Sequence, residues 1–215
     1  MDTILLFDFD GTIALGDGPV LAYAQEVADG LGDRGEGLVD GIRSALAAAE
    51  AGVLDGYDAV RREALGRGAD AALLSSAYRA SRTRLATEQA PILAPEGLAA
   101  FLTEAGGRAE RVLVTNAPSI RIAEALEALG LAGLFDRIVT GARKPTGLET
   151  VLADLPADAR VLSVGDIWHN DLAPAHARGH ATALIGGFAD PAATPTFRAS
   201  AFSELVPQLE DWLRA

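Results

Sequence analysis

Five short apolar runs of strand length punctuate this chain of 215 residues: Ile4–Phe7, Arg111–Val114, Arg137–Thr140, Arg160–Val164 and Ala181–Ile185. Several are rich in Val and Ile, as suits strands buried on both faces. From the second run onward they alternate with helical segments at Ile120–Leu129, Gly147–Leu155 and Leu172–Arg178. Alternation of this kind predicts an α/β fold built on a doubly wound parallel sheet, Rossmann-like in type.

The alternation fails once. Roughly seventy-five residues after the first run, 15–90, are alanine-rich and carry no strand signal. Helices are expected near Pro19–Asp29, Glu36–Ala51, Tyr57–Leu65 and Ala69–Glu88, with Leu74, Tyr78 and Leu85 on one face of the last. The expected organisation is therefore an α/β catalytic core of residues 1–14 and 91–215, interrupted by an all-helical cap domain of residues 15–90. Pro91 and Pro95 mark the return to the core.

Composition narrows the function. With no cysteine, neither a disulfide nor a thiolate takes part in fold or chemistry. A net charge of -12 argues against a nucleic-acid partner, because phosphate backbones are held by clustered basic residues. No basic leader precedes Ile4 and no apolar run approaches the roughly 20 residues of a membrane span, so a soluble, cytoplasmic protein without a membrane partner is expected. Oligomeric state leaves no mark in the sequence. Lys144 is the only lysine; every other basic residue is an arginine.

Ligands of an open parallel sheet bind beyond the carboxyl ends of its strands. Four polar clusters fall there: Asp8-Phe9-Asp10-Gly11-Thr12 after the first run, Thr115-Asn116 after the second, Lys144-Pro145 after the third, and Gly165-Asp166 with Asp171 after the fourth. Asp8 and Asp10 leave an extended segment on the same side, and Gly11 permits a tight turn. Such a pair suits either a hard cation or a division of labour between nucleophile and acid/base. Asp166 and Asp171 add acid at the same rim, and Lys144 offers a positive charge to offset it.

In order, these four clusters resemble the signature motifs of the haloacid dehalogenase superfamily, and the helical insertion resembles its cap, as in phosphoglycolate phosphatases and beta-phosphoglucomutases. The resemblance implies that Asp8 attacks phosphorus and becomes phosphorylated, while Asp10 protonates the leaving oxygen and then activates water. It further implies that Gly11, Thr12, Thr115 and Asn116 surround the phosphate and that Lys144 neutralises Asp8 and the phosphoryl group. Asp8, Asp10 through its carbonyl, Asp166 and Asp171 would hold Mg2+. The implied partner is a small phosphorylated metabolite, cleaved by a phosphatase; a phosphosugar mutase and a noncatalytic phosphate-binding relative are the alternatives. Asp10 disfavours dehalogenase chemistry, since dehalogenases of this group lack that aspartate. The absence of lysine from the insertion disfavours the Schiff-base chemistry of phosphonate-cleaving relatives.

Plainer readings attach to other features. Gly30–Gly35 matches a dinucleotide-binding glycine pattern but follows a helix, so it reads as a loop. Trp168 reads as packing, and His169, His176 and His180 as surface positions. Arg79, Arg82 and Arg84 read as a solvated helical face. A receiver-type regulatory module also pairs acids with a lysine, but the long insertion and the acids on the first strand oppose it.

Overall fold

The computed structural model describes residues 2–48, 55–186, 190 and 192–215. The elements run β1 (Thr3–Phe7), α1 (Gly18–Leu31), α2 (Leu38–Ala48), α3 (Gly56–Gly66), α4 (Ala71–Arg82), α5 (Leu98–Ala105), β2 (Glu110–Val114), α6 (Ile122–Ala128), β3 (Arg137–Val139), α7 (Thr146–Ala153), β4 (Arg160–Gly165), a π-helical turn (Trp168–Leu172), α8 (Ala173–His176), β5 (Ala181–Ile185), β6 (Phe197–Ala199) and α9 (Phe202–Arg214). The chain divides into two compact units. One comprises Met1–Leu15, Leu93–Ser119 and Leu126–Ala215; the other comprises Gly16–Ile92 and Ile120–Ala125. Among the described residues no helix is long and apolar enough to cross a membrane.

The first unit is the doubly wound α/β fold. Its six parallel strands lie in the order β3-β2-β1-β4-β5-β6. The winding reverses between β1 and β4, and such a switch point opens a crevice at the carboxyl ends of its two strands. Alternation along β1 feeds both faces of the sheet. Ile4 and Leu6 pack with Val112, Val114, Val161 and the α7 residues Leu148, Val151 and Leu152. Phe7 points the other way, with ring centroids 6.5 Å from Phe101 of α5 and 6.3 Å from Phe202 of α9. The strand is thus anchored on both sides up to the residue before Asp8.

The second unit is helical. α1 supplies Val20, Tyr23, Ala24, Val27 and Leu31, at the three- and four-residue intervals of one face, to a cluster with Leu38, Ile42, Val60, Ala64, Leu74 and Ala77. Asp55 and Asp70 start α3 and α4 as N-caps, accepting from the amides of Asp58 at 2.7 Å and Leu73 at 2.8 Å. Gly32–Gly35 forms one tight 3-10 turn.

Three expectations need correction. The last long helix of this unit ends at Arg82 rather than Glu88, because the chain turns through Ala86 at φ 60°, and Leu85 bridges to Ala90 instead of extending the helical face. Arg82 is not solvated: it is 1% exposed and donates from Nη1 to the Tyr57 hydroxyl at 3.1 Å. Arg84 lies beyond the helix and pairs with Glu26, leaving Arg79 as the exposed member of the three. The predicted Ala51 end of the second helix lies outside the described residues.

Candidate active site

The site grows from the end of β1. The Asp8 amide donates to the Val164 carbonyl at 3.0 Å, so the β1–β4 ladder carries on into the aspartate. Beyond it the chain folds back at once: the amides of Ile13 and Ala14 reach the Phe9 carbonyl at 3.0 and 2.9 Å. Gly11 is required twice over. Its φ of +82° suits glycine, and a Cβ there would stand 2.2 Å from Oδ2 of Asp166. Thr12, wholly buried, has its hydroxyl 3.3 Å from Asp8 Oδ2 and 3.5 Å from Asp166 Oδ1. With a single proton, it donates to one of them at a time.

Lys144 arrives from the loop between β3 and α7. Its amide donates to the side-chain oxygen of Asn116 at 2.6 Å, which ties this loop to the end of β2. Its ammonium, 3% exposed, pairs with Oδ1 of Asp8 and lies 2.6 Å from Oδ1 of Asp171. Asp171 is held from three directions. Oδ1 accepts from Lys144, Oδ2 accepts from the Ile167 amide at 3.0 Å, and its carbonyl accepts from the Ser163 hydroxyl at 2.6 Å. The π-helical turn that carries Asp171 packs so closely on Gly165 that a Cβ at 165 would fall 2.3 Å from that of Asp171. Turns of this geometry gather at functional sites.

Carboxylate oxygens of Asp8, Asp166 and Asp171 lie within 4.8 Å of one another. Three carboxylates against one ammonium leave an excess of negative charge in a buried place. Burial pushes the Asp8 carboxyl up to about 7; Lys144 opposes that rise and Asp171 adds to it. Burial alone would lower Lys144, but Asp8 and then Asp171 outweigh it and hold the ammonium charged. Hard oxygen donors with two uncompensated negative charges are what a small divalent cation requires, so the residues present fit one.

The remaining residues expected at the site are placed as follows. Asp10 is half-buried, and its backbone bridges to Ala14. Thr115 is buried at the end of β2, and its hydroxyl accepts from the Ala117 amide at 3.0 Å while keeping its own proton. Asn116 is exposed, with its oxygen engaged by the Lys144 backbone. Trp168 packs against Leu172 and Leu184, with its ring 5.2 Å from that of His176; His169 is exposed. Ser163 escaped the sequence reading. A hydroxyl amid the apolar residues of β4 was the available signal.

A doubly wound parallel sheet with buried carboxylates and one lysine at its switch point defines an α/β protein with a candidate cation centre. Residues 3–179 match the family of haloacid dehalogenase-like hydrolases. The chain belongs to that family and is an enzyme. Its fold is shared with solved structures at low sequence identity. A HAD-hydrolase candidate of Bacillus subtilis, YfnB, bound to magnesium, is 20% identical over 100% of this chain and 99% of its own, with a TM-score of 0.63. CbbY of Rhodobacter sphaeroides in complex with phosphate is 21% identical over 95% and 96%, with a TM-score of 0.65. A beta-phosphoglucomutase candidate of Thermotoga maritima is 16% identical over 98% and 99%, with a TM-score of 0.59. No curated protein matches the chain in sequence.

Proposed function

We propose that this enzyme is a magnesium-dependent phosphatase that hydrolyses a small phosphate monoester through a phosphorylated Asp8. The observation that carries the reading is the division of Asp8's two oxygens: Oδ1 pairs with Lys144, while Oδ2 faces the Thr12 hydroxyl beside Asp166. A carboxylate so placed has one oxygen neutralised and the other available as a nucleophile.

In the first half-reaction an Asp8 oxygen forms a bond to phosphorus as the ester P–O bond breaks, and Asp10 gives its proton to the leaving alcohol. In the second, Asp10 takes a proton from water, the water oxygen bonds to phosphorus, and the acyl phosphate bond to Asp8 breaks, releasing phosphate. Gly11, Thr12, Thr115 and Asn116 border the phosphate, and Lys144 balances the charge between it and Asp8. Asp8, Asp166 and the Asp10 carbonyl would hold Mg2+, with Asp171 in support; when bound, the ion supplies positive charge against the repulsion between a carboxylate and a phosphate dianion. CbbY has been captured with phosphate and, as a variant, with xylulose-1,5-bisphosphate, which supports a phosphorylated small metabolite as the substrate class here.

The test is phosphate release from a panel of sugar and small-acid phosphates with magnesium, comparing wild type with Asp8→Asn and Asp10→Asn. Wild type releases phosphate, Asp8→Asn loses at least about a thousandfold, and Asp10→Asn loses about a hundredfold or more. Undiminished release by purified Asp8→Asn would end the nucleophile assignment. Phosphoryl transfer between substrate hydroxyls without release would make the enzyme a mutase.

A further inference from the structure

Because all six strands are parallel, the sheet has two unlike rims. The carboxyl rim bears Asp8 and Asp166. At the amino rim, the starts of β4 and β5 and the end of α9 border a cavity of about 390 Å³, with Arg160, Val161, Gly179, His180, Thr196 and Trp212 in its wall. That volume is in the range of small-ligand sites. Arg160 opens β4 and Gly165 closes it, so at about 3.3 Å per residue the cavity lies roughly 16 Å from the carboxyl rim.

The wall is chemically particular. The Arg160 guanidinium lies over the Trp212 ring, 4.1 Å from its centroid, and Nη2 donates to the Trp212 carbonyl. Those two contacts fix the plane of the guanidinium. Among the described residues no carboxylate pairs with it, although the chain has 30 acidic residues and a net charge of -12. Elsewhere in the same wall, the Thr196 hydroxyl accepts from the Thr182 amide at 3.1 Å and keeps a proton to donate. His180 is half-buried; burial, and then Arg178, lower its pKa, so near neutral pH it offers one ring N–H. The Trp212 ring supplies an apolar side.

We propose that this cavity is a second ligand site, which takes a small organic oxyanion: its carboxylate or phosphate oxygens meet the Arg160 fork and the Thr196 hydroxyl, and its apolar body lies along Trp212. A planar, pre-oriented guanidinium suits bidentate contact with such a group. The site stands on the amino rim and does not depend on the phosphatase reading.

The chain's two tryptophans separate the two rims, because Trp168 lies in the turn of Asp171 while Trp212 lines this cavity. Metal-free 15N-labelled protein is titrated with benzoate, with inorganic phosphate and, at matched ionic strength, with sodium chloride, following the two indole N–H resonances; Trp212→Phe assigns them. A saturating shift of the Trp212 resonance with benzoate or phosphate but not chloride is expected, and the anion that saturates identifies the preferred head group. Arg160→Gln weakens that binding about tenfold or more, as loss of a charged hydrogen-bond donor should. Since this change also removes a contact at the end of α9, His180→Ala serves as the second variant and weakens binding several-fold while its spectrum stays folded. A Trp212 resonance that does not saturate with either anion, or the same shift in wild type and both variants, overturns the proposal.

Discussion

Asp8 and Asp136 are both aspartates of the α/β unit with a cation in hydrogen-bond contact, yet their acidities move in opposite directions. Asp136 takes a two-pronged grip from Arg111, with Nε at 2.9 Å and Nη2 at 2.8 Å, and a third bond from the Arg111 amide at 2.8 Å. Its side chain is 42% exposed, and the hydrogen bonds hold its carboxyl down at about 2. Asp8 also touches a cation, but it is 8% exposed, shares Lys144 with Asp171, and its carboxyl rises to about 7. Pairing wins where water still solvates the charge; burial wins where one ammonium must serve two carboxylates. The first arrangement is a clamp between the starts of β2 and β3, and the second stores charge that a cation or a phosphoryl group can use.

Lys144→Met should break this contrast most severely. It leaves Asp8, Asp166 and Asp171 buried without a counter-charge, and removing one partner of a buried pair typically costs about 3–5 kcal/mol. Urea unfolding of the metal-free variant should show a loss of that size, partly recovered by magnesium, together with loss of phosphate release. Stability equal to wild type would mean that Lys144 does not balance the cluster.

Asp8→Asn should do the reverse. Because the folded-state carboxyl is raised from 3.8 to about 7, the folded chain binds the proton more tightly than the unfolded chain. The stability that comes from protonated Asp8 is therefore fully present below about pH 4 and is lost as pH rises through about 7. Metal-free wild type should lose on the order of 2–4 kcal/mol relative to Asp8→Asn between pH 4 and pH 8, and magnesium should close the gap by taking the proton's place. Parallel pH profiles for the two metal-free proteins would contradict the burial account. This would be a site whose reactive group is kept at the expense of stability.

The same balance between burial and exposure set what the sequence disclosed. The four longer strands, buried along most of their length, were legible as apolar runs. β3 and β6 are each three residues long with partly exposed ends and an exposed middle, but β3 places Ile138 beside Val139 whereas β6 reads Phe197-Arg198-Ala199, with no apolar run to show. α5 and α9 carry readable spacings, Leu98, Phe101, Leu102, Ala105 and Phe202, Leu205, Leu209, Leu213, but they fall outside the strand–helix alternation that organised the reading. Asp8, Lys144, Asp166 and Asp171 were visible as candidates because each follows a strand end. What sequence could not display is contact through the backbone. The oxygen of Asn116 reaches the Lys144 amide, Ser163 reaches the Asp171 carbonyl, and Arg82 is buried against Tyr57 rather than solvated.

Asp136→Asn probes the solvated end of the comparison and should have the smallest effect. A lowered folded-state pKa means that stability from Asp136 is present above about pH 4 and fades as pH falls towards about 2. The variant should lose under about 1 kcal/mol at pH 7, since an exposed pair is screened by water even when its geometry is good. Asparagine can still accept from the Arg111 amide, which trims the loss further. In urea titrations the gap to wild type should narrow from pH 5 to pH 3, opposite in sign to the Asp8→Asn profile, and 1 M salt should shrink it. A loss of several kcal/mol that ignored both pH and salt would show that the Arg111 clamp acts by packing, through its 3.0 Å bond to the Leu102 carbonyl, rather than by charge.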